Sequence, residues 1–235
     1  MGVTSGVHER ARYLATVALV LGYSATVACS VGSGPTAPSP GLGTERPTTP
    51  ASETSTNGQT KPGVDLTVVP HRDGSFDVTE DVLLPQPTNM LQLQLPASGD
   101  QLPGMMAPTR PRVTNLKVLA DDQSVPLQTT TVPGADLIPL TVAASKVRLT
   151  YRLSGSTVFA SPSETARAGA AIRPLTANTD GSLPTDITVT TGLLNAVCPL
   201  LSEPRCAVGD PPHLTIQPGI PAAKALVVLQ LDLPR

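Results

Sequence analysis

The sequence predicts an all-β protein, and three observations carry that expectation. Apolar and polar residues alternate over several short runs, which is the mark of half-buried strands. Turn residues recur roughly every 8–12 positions, the spacing of a sandwich. The 26 prolines are scattered along the chain, and each removes a helical donor and clashes with the preceding turn, so long helices are excluded.

The chain begins with a basic stretch, His8-Glu9-Arg10-Ala11-Arg12, followed by an apolar run from Tyr13 to Ala28. That run is shorter than the ~20 residues a helix needs to cross a bilayer. A basic start, a short apolar stretch and small residues before a boundary describe a secretory signal peptide, with an uncleaved membrane anchor as the rival reading. Thr26-Val27-Ala28-Cys29 then resembles the bacterial lipobox. The resemblance implies cleavage before Cys29 and a diacylglyceryl (palmitate-type) anchor on its thiol. Ala28 and Val27 fit the small and aliphatic positions, whereas Thr26 stands where that family usually has Leu. Thr26 and Ala28 also satisfy the small-x-small rule of ordinary signal peptidase, so plain secretion is the alternative address.

Residues 30–62 are mostly Pro, Ser, Thr and Gly, with few aliphatics. Such a segment buries too little apolar surface to offset its ordering entropy, so a disordered tether is expected. The expected organisation is therefore a lipoprotein signal peptide over 1–28, a lipid-anchored tether over 29–62 and a β-sandwich domain over 63–235.

Within that domain Asp65–Val69 and Phe76–Leu84 flank His71-Arg72-Asp73-Gly74, and Asp-Gly between apolar runs signals a hairpin. Leu91, Leu93 and Leu95 alternate with Gln92 and Gln94. Val113–Leu119, Val125–Thr130 and Asp136–Val142 are further candidate strands. The clearest is Lys146–Leu153, in which Val147, Leu149, Tyr151 and Leu153 share one face. Ile187–Thr191 and Leu214–Gln217 follow, and Val227, Leu229, Leu231 and Leu233 repeat the alternation near the C-terminus. Ser163–Ile172 is the one segment read as a short helix or turn. Together these predict a single antiparallel β-sandwich of the immunoglobulin-like kind, with two smaller sandwiches as the alternative. The run Asp73-Gly74-Ser75-Phe76-Asp77-Val78-Thr79-Glu80 is similar to the opening of an extracytoplasmic β domain in a family of bacterial membrane proteins of unknown function. That likeness implies the sandwich and no activity.

Three cysteines is an odd number for an exported protein. Assigning Cys29 to lipid leaves Cys198 and Cys206 as a disulfide pair, with Pro199 and Pro204 bending the chain between them. No Cys-x-x-Cys spacing and no nearby Lys or His suggests redox chemistry.

Charged residues make up 14% and the formal net charge is −2, so nothing favours nucleic acid as a partner. Aromatics are 2%, which argues against stacking platforms and aromatic cages. Arg far outnumbers Lys, and Ala, Val and Pro abound, the composition of a GC-rich genome such as an actinobacterium's. Glu80 shares the register of Phe76, Val78, Val82 and Leu84. If buried it needs an Arg partner or a proton; the preferred reading turns it to solvent at a strand end. His71 and His213, with Asp73 and Asp210 near them, match no dedicated metal motif. No Gly-x-Ser-x-Gly, Ser-x-x-Lys, His-Glu-x-x-His or phosphate-loop pattern occurs, so no catalytic residue, metal or cofactor is assigned. Lys146, Arg148 and Arg152 form a basic stripe that could meet an anionic wall polymer or headgroup. Leu102–Ala107 carries two Met in a loop, expected to pack over the end of a sheet. The expected function is a non-catalytic binding or scaffold module, held by lipid to the outer face of a bacterial cytoplasmic membrane and acting on another envelope component. The rivals are an envelope hydrolase with a spatially assembled site and a lipid carrier.

Overall fold

The computed structural model describes residues 59–161 and 166–234; the signal and lipobox residues, Cys29 included, and most of the tether lie outside them. The described residues form an all-β sandwich. Its strands are β1 (Gly63–Pro70), β2 (Phe76–Leu93), β3 (Arg112–Ala120), β4 (Gln123–Ser124), β5 (Asp136–Ser154), β6 (Thr157–Phe159) and β7 (Arg167–Ile172). There follow β8 (Pro184–Val189), β9 (Leu193–Val197), β10 (Ala207–Val208), β11 (Thr215–Ile216), β12 (Ile220–Pro221) and β13 (Val227–Asp232). Seven of them make one sheet in the order β12-β8-β1-β2-β5-β3-β4, and four make the second, β6-β7-β13-β9. A short β10–β11 ribbon stands beside them. The pairing is antiparallel except for β1 with β8, which run parallel from Val64↔Thr185 to Val68↔Val189.

The β1–β2 hairpin follows from its turn. Gly74 sits at φ 75°, open to glycine at little cost, and a Cβ there would lie 2.9 Å from the Phe159 ring. Asp73 accepts hydrogen bonds from the Ser75 N–H at 3.0 Å and its hydroxyl at 2.5 Å. The ladder then alternates strictly, so Val64, Leu66 and Val68 of β1, Phe76, Val78 and Val82 of β2, and Val147, Leu149, Tyr151 and Leu153 of β5 all bury toward the second sheet. The facing layer is Ala168, Ala170 and Ile172 of β7 with Val227, Leu229 and Leu231 of β13. Small alanines on one side accommodate bulky aliphatics on the other, which fills a core with few rings.

Several expectations are corrected. Phe76–Leu84 and Leu91–Leu93 belong to one strand, β2, which ends before Leu95, and Asp136–Val142 and Lys146–Leu153 belong to another, β5. Their mutual register shifts between Leu83 and Thr88 and again between Thr88 and Met90. Pro85 and Pro87 sit in the first shift, where a missing donor is tolerated as a bulge. Val125–Thr130 is not a strand: Pro126 cannot donate to a ladder, and the hairpin partner of β3 is Gln123–Ser124 instead. The described part of Ser163–Ile172 is neither helix nor turn; Arg167–Ile172 is β7, bonded to β6 and β13. Its Ala and Gly content hid a strand whose place is set by two neighbours rather than by propensity. The methionine loop packs over the outer face of the smaller sheet, where Leu102 and Met105 join Ala171, Leu226 and Val228 in a second apolar cluster.

Candidate functional site

The interior holds a cluster of perturbed groups centred on Glu80. β2 places this residue opposite Leu66 of β1 and Leu149 of β5, on the inner face, and it is fully buried. The expectation that it turns to solvent is thereby overturned: alternation holds without a bulge at this position. Its carboxylate is met by the crossover that leaves β7. Oε2 accepts the Leu175 N–H at 2.7 Å and the Tyr151 hydroxyl at 3.3 Å. Oε1 accepts the Thr176 N–H at 2.9 Å and the Thr176 hydroxyl at 2.5 Å.

Burial pushes the Glu80 carboxyl up from its ordinary value, and the Thr176, Leu175 and Tyr151 donors oppose that rise. Tyr151 is likewise driven up, first by burial and then by the charge of Glu80. Arg173, also buried, is pulled down by burial and partly restored by Glu80. Its Nε has no hydrogen-bond partner among the described residues. Arg173 is thus a cation of the kind a buried Glu80 requires, although no direct hydrogen bond joins them. Alternation in β2 could find the carboxylate; nothing local could find Arg173 or Thr176, more than ninety residues away in sequence.

Chemically this centre is a clamp. Four donors saturate the carboxylate, and three of the surface cavities are lined by other residues. The clamp holds the 173–177 crossover against the larger sheet, assisted by the Gln94 N–H donating to Leu175 O at 2.8 Å.

The outer face of the larger sheet carries the basic stripe. Each of its cations has an acidic neighbour: Lys146 with Asp122 at 3.2 Å, Arg148 with Asp81 at 2.5 Å, and Arg152 with Asp73 at 3.3 Å and Asp77 at 3.5 Å. The hydrogen bond to Asp81 pushes Arg148 up. Asp73 is lowered to about 2, mainly by the Ser75 hydroxyl and N–H, with Arg152 adding to it. Charge compensation of this kind is that of a solvated strand face, and it leaves the stripe little net field to attract an anion. On the other side of Asp81 the balance reverses. Asp65 is raised by burial and by Asp186 and Asp81 on the flanking strands.

Cys198 and Cys206 form a disulfide with Cα atoms 5.8 Å apart, and both are buried. His71 Nε2 lies 2.8 Å from Asp77 Oδ2 in the β1–β2 turn, while the backbone N–H of His213 donates to Asp210 O at 2.8 Å. Among the described residues no three His, Cys, Asp or Glu side chains gather in a metal-binding arrangement. Among them, too, no helix is long and apolar enough to cross a membrane.

No family model matches the chain, and no curated protein matches it. Among solved structures it is similar to an aminopeptidase N family protein from Idiomarina loihiensis, at 12% identity and a TM-score of 0.41, over 72% of this chain and 29% of that one. It is also similar to a mutant M1 zinc metallopeptidase from Deinococcus radiodurans bound to a Tyr-Ser-Ala substrate, at 17% identity and a TM-score of 0.26, over 72% of this chain and 37% of that one. The chain thus spans less than half the length of either structure, and a likeness of this degree says nothing about activity.

Proposed function

We propose that this protein is a lipid-anchored binding or scaffold module of the bacterial cell envelope, carried on a Pro/Ser/Thr/Gly-rich tether outside the cytoplasmic membrane. The observation that carries the reading is cysteine pairing. The sequence holds three cysteines, and two of them, Cys198 and Cys206, bond to each other. Cys29 therefore has no cysteine left in the chain to pair with, and it stands directly after an apolar run in a lipobox-like tetrapeptide. A disulfide also suits an oxidising compartment. The non-catalytic part of the reading is supported by the seclusion of Glu80 and by the acidic partners of the basic stripe.

Fractionation of cells expressing the wild-type chain and Cys29→Ser tests the anchor. The wild type is expected in the membrane pellet, because two acyl chains anchor a protein stably to a bilayer, and the variant, which has no thiol to carry them, is expected to leave it. Equal pelleting of both proteins would count against the proposal.

A further inference from the structure

Two cavities of about 140 and 320 Å³ lie along the same side of β5. The first is walled by Ala120, Asp121, 123–125 and Thr141–Ala144, the second by 126–129 and Asp136–Pro139, with Leu116 and Val132 beneath it. They share no wall residue, but their walls follow one another in sequence on both sides, which aligns them as two halves of a groove between the first half of β5 and the 120–129 segment. At ~3.3 Å per residue, nine residues of strand give it a length of up to ~30 Å.

The β5 edge that faces this groove has no strand beside it among the described residues. β2 pairs with this half of β5 from the opposite side, and β3 pairs only from Val147 onward. Backbone donors and acceptors on such an edge call for a complementary backbone. Leu137 and Val142 stand 58% and 70% exposed beside it, an unusual placement for large aliphatics on a short stretch. Asp136 lines one end of the groove and Asp121 the other, and no Lys, Arg or His lines either cavity. Each carboxylate uses one oxygen on local backbone, Asp121 on the Lys146 N–H and Asp136 on the Leu137 N–H, leaving the other oxygen for an incoming cation.

We propose that this groove receives an extended polypeptide segment carrying a cation near each end. The main chain of that segment pairs with the β5 edge, its apolar side chains cover Leu137 and Val142, and its terminal Lys or Arg side chains meet Asp136 and Asp121. An anionic polymer or headgroup is repelled by the same two carboxylates, and a glycan finds no ring to stack on. Pro139 lacks an N–H, and residues 140–143 fall between ladder partners Pro139 and Ala144. These two features keep the edge from templating an open-ended sheet and put the selectivity in the charged ends. The inference rests on the binding-module part of the proposed function and not on the anchor.

The test uses the full-length chain and two fluorescein-labelled nonapeptides, Lys-Thr-Val-Thr-Val-Thr-Val-Thr-Lys and the same sequence with Glu at both ends. The Lys peptide is expected to bind saturably and about 5- to 20-fold tighter than the Glu peptide at low salt. In Asp121→Asn/Asp136→Asn, which keeps both backbone acceptors, that ratio is expected to fall toward one. Hydrogen exchange should slow within 136–144 on binding. Absence of saturable binding by the Lys peptide, or a ratio unchanged in the double variant, would overturn the proposal. Saturable binding with protection elsewhere would also remove the groove, while leaving the binding-module reading in place.

Discussion

Glu80→Ala is expected to lower the unfolding free energy by about 3–5 kcal/mol, the range seen when one partner is removed from a buried charged network. The loss has two sources. The Leu175 and Thr176 N–H groups and the Thr176 and Tyr151 hydroxyls lose their acceptor in a place water does not reach. Arg173 loses the carboxylate that partly compensates its own burial. Denaturant unfolding measures the loss. A cost below about 1 kcal/mol would mean the crossover is held by its apolar contacts alone and the clamp is incidental. Glu80→Gln separates shape from charge, and pH then separates charge from hydrogen bonding. Because burial raises the folded carboxyl above its ordinary value of 4.5, the folded state holds the Glu80 proton more tightly than the unfolded chain does. Its contribution to stability is complete below that ordinary value and is lost as pH rises through the folded one. The wild type should therefore gain on Glu80→Gln as pH falls through that window. Parallel pH profiles for the two proteins would contradict the direction of the shift.

Phe76→Ala is the other substitution expected to cost about 3–5 kcal/mol, from lost transfer energy and the cavity left behind. Phe76 opens β2, pairs with Leu153 and is completely buried. The neighbouring ring on the same face, Tyr151 opposite Val78, has its hydroxyl held by Glu80 and is not free to swing into the space. The surrounding Val and Leu side chains are fixed on strands, and their β-branched or short stems limit how far they can relax. Phe159 supplies the control, since it is 49% exposed on edge strand β6. Phe159→Ala should cost well under half as much in the same denaturant titration. Comparable losses at both positions would mean that Phe76 is not the filled centre of the sandwich.

What the sequence made legible follows from how locally each feature is determined. The first hairpin was readable because one Asp-Gly turn sets its register. The second half of β5 was readable because eight residues alternate without interruption. The inward direction of Glu80 was present in the same alternation, and the expectation failed only by preferring an escape to solvent over a buried partner. That partner could not be read, because Arg173 and Thr176 come from a crossover positioned by the second sheet. β7 was hidden for a related reason: Arg167-Ala168-Gly169-Ala170-Ala171-Ile172 has weak strand propensity and becomes a strand through β6 and β13 on either side. The continuity of β2 through Pro85 and Pro87 was also concealed, since prolines that mark a bulge look from the sequence like a strand end. The parallel β1–β8 pair has no local signature at all. The Cys198–Cys206 bond was legible from number and spacing. The groove along β5 was not, because its two walls are separate stretches of chain brought side by side.

The proposed envelope address stands on the sulfur of Cys29, and the mass of the N-terminal peptide of the mature protein, recovered from its native cells, tests it most directly. A peptide that begins at Cys29 and carries a diacylglyceryl group on that thiol is the predicted result. A peptide beginning elsewhere, or beginning at Cys29 with an unmodified thiol, would contradict it.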